Sequence, residues 1–343
     1  MASPAESNIV TGNGKIAILA AGSFGCTLGY VFATGGKNVC LWHVNHSQAE
    51  LLNKNRRLEK PIAVDIAPGV EVTSDLQVVT KEASILLFTC TSQSMQEVAG
   101  NVYHAVKDRK DKPILVSAVK GIETKSFKRM SEILKETFPG FAVACLSGPN
   151  LAVEMAKGLP TAAAIAADSE EIAEQVQNYL NTKSYRLYTN DDLIGVELGG
   201  ALKNIYAIAA GCVDGLNLGT NAKSTLLTRA LVEMSRFNAD HGGKPATMVG
   251  LAGIGDLIAT CTSPLSRNYR LGFELAQGTV IDEAIKKLGA VAEGVPTCHA
   301  VNKLAHKLAL SMPIAEQVEA VLTAATTPKQ AIKDLFERPL SKE

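Results

Sequence analysis

Three hundred and forty-three residues exceed what one hydrophobic core usually fills, so the chain should divide into about two domains. With 46% hydrophobic and 20% charged residues the composition is globular, which excludes wholesale disorder and any disulfide- or metal-nucleated miniprotein. Lys plus Arg and Asp plus Glu number 34 each, so no net field draws the chain onto nucleic acid or an acidic membrane, and any anionic ligand must be held by local charges.

Residues 1–13 carry no basic segment followed by an apolar run and read as a loose, disordered polar tail. Beyond them, short aliphatic runs alternate with helical patterns, the signature of βαβ units and a parallel sheet buried on both faces. The expected strands are 14–20, 37–43, 84–90, 112–118 and 141–147, with 161–167 and 185–189 extending the sheet. From about 191 the pattern changes to glycine-punctuated helices at 193–213, 220–241, 267–277, 281–289 and 296–309. A boundary is therefore expected at 190–192, with Asn190-Asp191-Asp192 starting the first helix of a second domain, 14–190 and 191–343 being the two units. The apolar stretch 193–213 contains Glu197 and Lys203, which suits a buried helix better than a bilayer span. Seven scattered cysteines with no C-x-x-C pair read as reduced thiols in a cytoplasmic protein. The six histidines show no metal-ligand spacing, and no nucleophile motif is present.

After the first strand, Ala20-Ala21-Gly22-Ser23-Phe24-Gly25 leads into a helical run, where a Rossmann unit carries its dinucleotide loop. Gly22 would let backbone approach a pyrophosphate and Gly25 would let helix pack close on strand; an ordinary strand–helix turn is the plainer reading. Ala20 stands where the fingerprint has its first glycine. At the end of the second strand, Trp42-His43-Val44-Asn45 offers neither the carboxylate that favours NAD nor an arginine for NADP, so both remain open.

Lys203, in LGGALKNIYAIAAG, is either a desolvated lysine suited to proton transfer or one that snorkels at a helix edge. Asp256, after a glycine-rich turn, either caps a helix or neutralises an ammonium. Ser266 suits an N-cap, which puts Arg267 and Asn268 in a first helical turn; an arginine there runs against the macrodipole unless an anion is bound, the alternative being a solvated arginine. Lys120 follows the strand at 112–118, and Gly148, Asn150 and Ala152 follow the strand at 141–147, at the edge where open α/β sheets bind ligands. Glu293 is either a contact to the nicotinamide ribose or a helix-end carboxylate.

Together, SGPNLAVEMAKGLPTAAAIA, VELGGALKNIYAIAAG and GLAGIGDLIATCTSPLSRNYRLG resemble the NAD(P)-dependent glycerol-3-phosphate dehydrogenase family, its bacterial type most closely, from about residue 15 to about 310. The resemblance implies a Rossmann domain followed by an all-helical substrate domain, and reversible reduction of dihydroxyacetone phosphate by NADH or NADPH to sn-glycerol 3-phosphate for glycerophospholipid synthesis. It implies that Lys203 donates or accepts the proton with Asp256 beside it, and that Lys120 touches substrate and cofactor. Gly148, Asn150, Ser266, Arg267 and Asn268 would bind substrate, Asn150 standing where many bacterial members have serine. Gly22, Ser23, Phe24, Gly25, His43, Ala152, Arg267 and Glu293 would meet the cofactor. Ala20 replaces a glycine the family usually keeps, and the arginine it often has after the second strand is missing. A related two-domain hydroxyacid dehydrogenase and a non-catalytic dinucleotide-binding protein are the alternatives. The glycine-punctuated apolar helices make a homodimer the expected assembly.

Overall fold

The computed structural model describes residues 14–339, so the expected tail at 1–13 lies outside the described residues. Its first half is β1 (Lys15–Leu19), α1 (Ser23–Thr34), β2 (Asn38–Trp42), α2 (His46–Asn55), β3 (Arg57–Leu58), β4 (Val64–Asp65), β5 (Glu71–Thr73), α3 (Leu76–Thr80), β6 (Ala83–Phe88), α4 (Met95–Val106), β7 (Ile114–Ser117), α5 (Met130–Thr137), β8 (Val143–Ser147), α6 (Ala152–Met155), β9 (Thr161–Ala167), α7 (Glu170–Leu180) and β10 (Tyr185–Asn190). One eight-stranded sheet runs β10-β9-β8-β7-β6-β1-β2-β5. Ile16, Ile18, Ile85 and Leu87 point into one covered face, and Ala17, Leu19, Leu86 and Phe88 into the other. Burial on both faces is why these strands read as unbroken apolar runs.

The expectation of a parallel sheet needs one correction. β9 pairs antiparallel with β8, through Ala144 with Ala167 and Ser147 with Ala164, while β9 and β10 are parallel to each other. The connection from β8 to β9 contains only the four-residue α6. The link, 148–160, has the length of a crossover but not its helix: four residues of α6 span about 6 Å, too little to carry the chain back along the sheet face as the helix of a βαβ unit does, and β9 returns antiparallel.

The second half is helical: α8 (Leu193–Gly215), α9 (Gly219–Asp240), α10 (Asp256–Thr262), α11 (Arg267–Ala276), α12 (Ile281–Leu288), α13 (Gly294–Lys307), α14 (Pro313–Leu322) and α15 (Pro328–Phe336). Asp192 starts it as the N-cap of α8. One of its oxygens accepts the Gly195 N–H at 2.8 Å, and the other accepts from the Lys244 N–H and Thr247 hydroxyl at 2.7 and 2.6 Å. At 23 residues with a mean hydropathy of 1.3 over its most apolar window, α8 has the length and composition of a membrane span, but 89% of that window is buried inside the molecule. It is the axis of the helical core.

The crossing of α8 and α11 sets the site. A Cβ on Gly272 would lie 1.8 Å from the Ile208 carbonyl oxygen, and one on Gly211 would lie 2.0 Å from that of Tyr269, so the two backbones touch where only glycine fits. These glycines act within the chain and carry no argument for the homodimer. A turn of π-helix, Leu251–Gly255, runs directly into α10. On α9, the buried Glu233 carboxylate accepts from the Ile314 N–H at 2.7 Å and the Tyr206 hydroxyl at 3.2 Å, tying the start of α14 to the core.

Candidate active site

A cleft of about 650 Å³ separates the carboxyl edge of the sheet from the helical half. Of the residues singled out from the sequence, Gly25, Gly148 and Asp256 stand behind its wall and the other twelve line it.

Its sheet-side end is the loop between β1 and α1. Ala20 takes φ = 103°, a conformation open to glycine and strained for alanine. The turn is held by the Ala21 N–H, which donates to the Trp42 carbonyl at 2.8 Å, and by the Thr89 hydroxyl, which donates to the Ala20 carbonyl at 2.9 Å. A Cβ on Gly25 would lie 2.1 Å from the Ala20 oxygen, so this glycine is what lets α1 start so close to β1. Gly22, by contrast, has open space around it. The buried Ser23 hydroxyl has no hydrogen-bond partner, and α1 opens without a side-chain cap. A phosphate-sized cradle with unused donors at a helix N-terminus fits a dinucleotide. At the far side of the loop, His43 follows β2; the Asn45 N–H donates to its Nδ1 at 3.0 Å, and burial pushes its pKa below the ordinary histidine value. It therefore leaves this end of the cleft uncharged near neutral pH.

At the junction of sheet and helices, Asp256 is 1% exposed and bridges two lysines. The Lys203 ammonium donates to its Oδ1 at 2.7 Å and Lys120 to its Oδ2 at 2.6 Å. Lys120 also donates to the Gly148 carbonyl at 2.8 Å, and Lys203 to the Thr260 hydroxyl at 2.6 Å. Lys203 does not snorkel, and Asp256 neutralises ammonium groups and makes no cap. Desolvation brings the Lys203 pKa down to about 8, against the pull of Asp256 upward, and the nearby Lys120 adds to the lowering. Thr260 went unread in the sequence, although it sits one helical turn beyond Asp256 and so shares its face.

The third part is the start of α11. Ser266 is its N-cap, accepting the Tyr269 N–H at 3.3 Å. Among the described residues no carboxylate lies within ion-pair distance of Arg267, and burial pushes its pKa below the ordinary arginine value. An unpaired, partly desolvated guanidinium beside free helix N–H groups has the charge and donors to hold an anion. Asn268 enters differently from expectation: its Nδ2 donates to Asn204 Oδ1 at 2.8 Å and its Oδ1 accepts the Gly294 N–H at 2.9 Å, so its side chain is occupied by structure. Glu293 likewise turns to protein: its two oxygens accept from the Ser92 N–H at 3.1 Å and the Ser92 hydroxyl at 2.5 Å, clasping the loop after β6 to the start of α13. Asn150 donates to the Tyr185 hydroxyl at 3.1 Å, while its buried Oδ1 has no partner in the protein.

A Rossmann-type sheet with an open glycine loop at a helix N-terminus, a helical half, and between them a buried low-pKa lysine on the same cleft as an unpaired arginine are the frame of a two-domain nicotinamide-dependent dehydrogenase. The family model for the N-terminus of NAD-dependent glycerol-3-phosphate dehydrogenase matches residues 15–173, and that for its C-terminus matches 192–333. The chain is 43% identical over 322 residues, 94% of each chain, to a glycerol-3-phosphate dehydrogenase [NAD(P)+] of Azotobacter vinelandii, and 42% identical to that of Pseudomonas syringae pv. syringae, covering 94% and 93%. It superposes on a crystal structure of glycerol-3-phosphate dehydrogenase from Coxiella burnetii with a TM-score of 0.90 at 35% identity, covering 95% of this chain and 99% of that one. The chain belongs to the NAD-dependent glycerol-3-phosphate dehydrogenase family. Its likeness to a D-mandelate dehydrogenase, 12% identical with a TM-score of 0.58 over 93% of this chain and 99% of that one, is one of fold alone.

Proposed function

We propose that this protein reversibly reduces dihydroxyacetone phosphate to sn-glycerol 3-phosphate with NADH or NADPH, in the cytoplasm, for glycerophospholipid synthesis. The observation that carries the reading is the buried Lys203–Asp256–Lys120 bridge opening on the same cleft as the unpaired Arg267. Seven free cysteines accord with a reducing compartment. A homodimer is part of the reading and is checked by mass in solution.

Gly22, Ser23, Gly25 and the start of α1 would hold the cofactor's pyrophosphate, with Phe24, His43 and Ala152 along its length. Bound nicotinamide supplies hydride to the ketone carbon in one direction and accepts it from the carbinol in the other. As hydride reaches that carbon its oxygen gains negative charge, and the Lys203 ammonium stabilises that oxygen and gives it a proton. Asp256 keeps Lys203 oriented, the Thr260 hydroxyl accepts a second hydrogen bond from its ammonium, and Lys120 supplies a second positive charge at the cleft wall. Arg267 and the first N–H groups of α11 grip the phosphate, whose binding energy orients the distant carbonyl. Asn268 would contribute by its backbone, Asn150 through its open Oδ1, and Glu293 by shaping the cleft through Ser92.

The test is initial-rate absorbance of the reduced nicotinamide with dihydroxyacetone phosphate, and with dihydroxyacetone as control. Oxidation of NADH or NADPH far faster with the phosphorylated ketone than with the control, and lost in Lys203→Ala, is the expected result. Equal rates with a 2-hydroxy or 2-oxo acid would favour the hydroxyacid alternative, and cofactor binding without turnover the non-catalytic one.

A further inference from the structure

Away from the reaction centre, a second buried charge pair crosses between the sheet and the helices. Glu197 lies on α8 with its side chain 5% exposed. Its carboxylate accepts from the Ser131 N–H at 2.8 Å, the Ser131 hydroxyl at 2.5 Å and the Arg129 guanidinium at 2.5 Å. Ser131 belongs to the first turn of α5, whose N–H groups have no partner inside their own helix, and Arg129 is its N-cap residue. A helical-half carboxylate therefore closes a helix of the sheet half. Leu193, Val196 and Ala252 meet Cys145, Ala164 and Ala166 across the same junction. Such apolar contact adheres without specifying register, whereas three directed hydrogen bonds on one carboxylate specify it.

Register matters because Gly200 and Lys203 lie further along the same helix. At Gly200, a Cβ would lie 2.3 Å from the Ser147 hydroxyl and 3.4 Å from Lys120 Cγ, so α8 passes against the end of β8 and against Lys120 itself. Lys203 comes within the next turn and meets Asp256, which Lys120 holds from the sheet side. The spacing of the two lysines is thus the spacing of α8 from the sheet edge.

We propose that Glu197 is a positioning residue whose grip on Ser131 and Arg129 fixes α8 on the sheet, and so places Lys203 opposite Lys120 across the Asp256 carboxylate. The assignment rests on the reductase reading for its effect on rate, and on geometry alone for its effect on Lys203. Facing Lys203 are Asp256, Thr260 and Cys261 on α10 and Lys120 from the sheet. Loosening the junction admits water and moves Lys120 away. Both changes raise the affinity of Lys203 for its proton.

Full-length Glu197→Gln and Ser131→Ala proteins test this. The first keeps an acceptor for the Ser131 N–H and removes the charge facing Arg129; the second keeps the ion pair and removes one hydrogen bond. The pH midpoint of Lys203 is read by amine-labelling rate and mass spectrometry, a measurement that needs no turnover. Kinetics with dihydroxyacetone phosphate are read beside it. For Glu197→Gln the midpoint should move upward by one pH unit or more and kcat should fall at least tenfold, with nucleotide Kd within twofold of wild type; Ser131→Ala should move both the same way by less. Should Glu197→Gln fail to fold, Ser131→Ala decides. A lowered melting temperature with an unmoved midpoint and unchanged kcat would make the contact merely structural and overturn the proposal. An inactive wild type would instead sink the reductase reading, while the labelling midpoint still decides the role of Glu197.

Discussion

Lys120 and Lys203 share one carboxylate, each donating to a different oxygen of Asp256, at 2.6 and 2.7 Å. One lysine comes from the sheet and the other from the helices, so a single buried acid joins the halves where the chemistry takes place. Replacing Asp256 by asparagine leaves two ammonium groups facing each other in a desolvated site. The Lys203 pKa should then fall further below about 8, and turnover should drop at least a hundredfold. In the wild type, the rate of ketone reduction should decline as pH rises through about 8, because the reducing direction needs the ammonium, while alcohol oxidation should rise over the same range. Opposite pH profiles for the two directions are the check; parallel profiles would remove Lys203 from the proton-transfer step.

Arg267 should act on the phosphate and not on the ketone. Arg267→Ala should raise KM for dihydroxyacetone phosphate by about a hundredfold, in keeping with loss of a charge-assisted pair, and leave the slow rate with unphosphorylated dihydroxyacetone unchanged. Arg267→Lys should recover only part of the loss, since an ammonium cannot fork to two oxygens. A variant that weakens both ketones equally would place Arg267 elsewhere in the mechanism.

Ala20 holds a backbone conformation that glycine adopts freely, with φ = 103°. Ala20→Gly should therefore stabilise the protein by about 1 kcal/mol, the relief of strain exceeding the added chain entropy of glycine. Thermal melts with and without NADH measure it, and a lower melting temperature in the variant would show that the turn is unstrained.

Glu233 gives a pH-dependent stability. Burial pushes its pKa up to about 7, although Ile314, Ala315 and Tyr206 all hydrogen-bond to it. Since the folded value lies above the unfolded one, its contribution is fully present below the unfolded pKa, near 4.5, and is lost as pH rises through about 7. Wild type should lose about 3 kcal/mol relative to Glu233→Gln across that window. Denaturant melts of the two proteins at pH 5 and pH 7.5 would test this, and curves that stay parallel would contradict it.

The strands of the sheet core were legible because burial on both faces writes itself as aliphatic runs. The reversed direction of β9 was not, since direction depends on the link that precedes it. β3, β4 and β5 were missed for their two or three residues, too few to carry a period, and α14 and α15 lie beyond the helices read from the pattern. Lys203 and Arg267 stood out as charges where local sequence disfavours them, while Asp256 read as either a helix cap or a partner for an ammonium. Ser92 and Glu197 did not, because each meets its partner only through the fold: Ser92 and Glu293 are 201 residues apart, and Ser131 and Glu197 are 66. The same holds for Asn268, whose side chain looked free for a ligand until Asn204 and Gly294 were brought beside it.

The main-chain contact of α8 and α11 at Gly211 and Gly272 acts as a fixed ruler. Lys203 rides on one helix and Arg267 on the other, and nothing softer than backbone sets the interval between them. A substrate is thereby measured from its phosphate to its carbonyl oxygen. A phosphorylated ketone one carbon longer would still be gripped, but its oxygen would stop short of the proton, so it should bind as an inhibitor and turn over poorly.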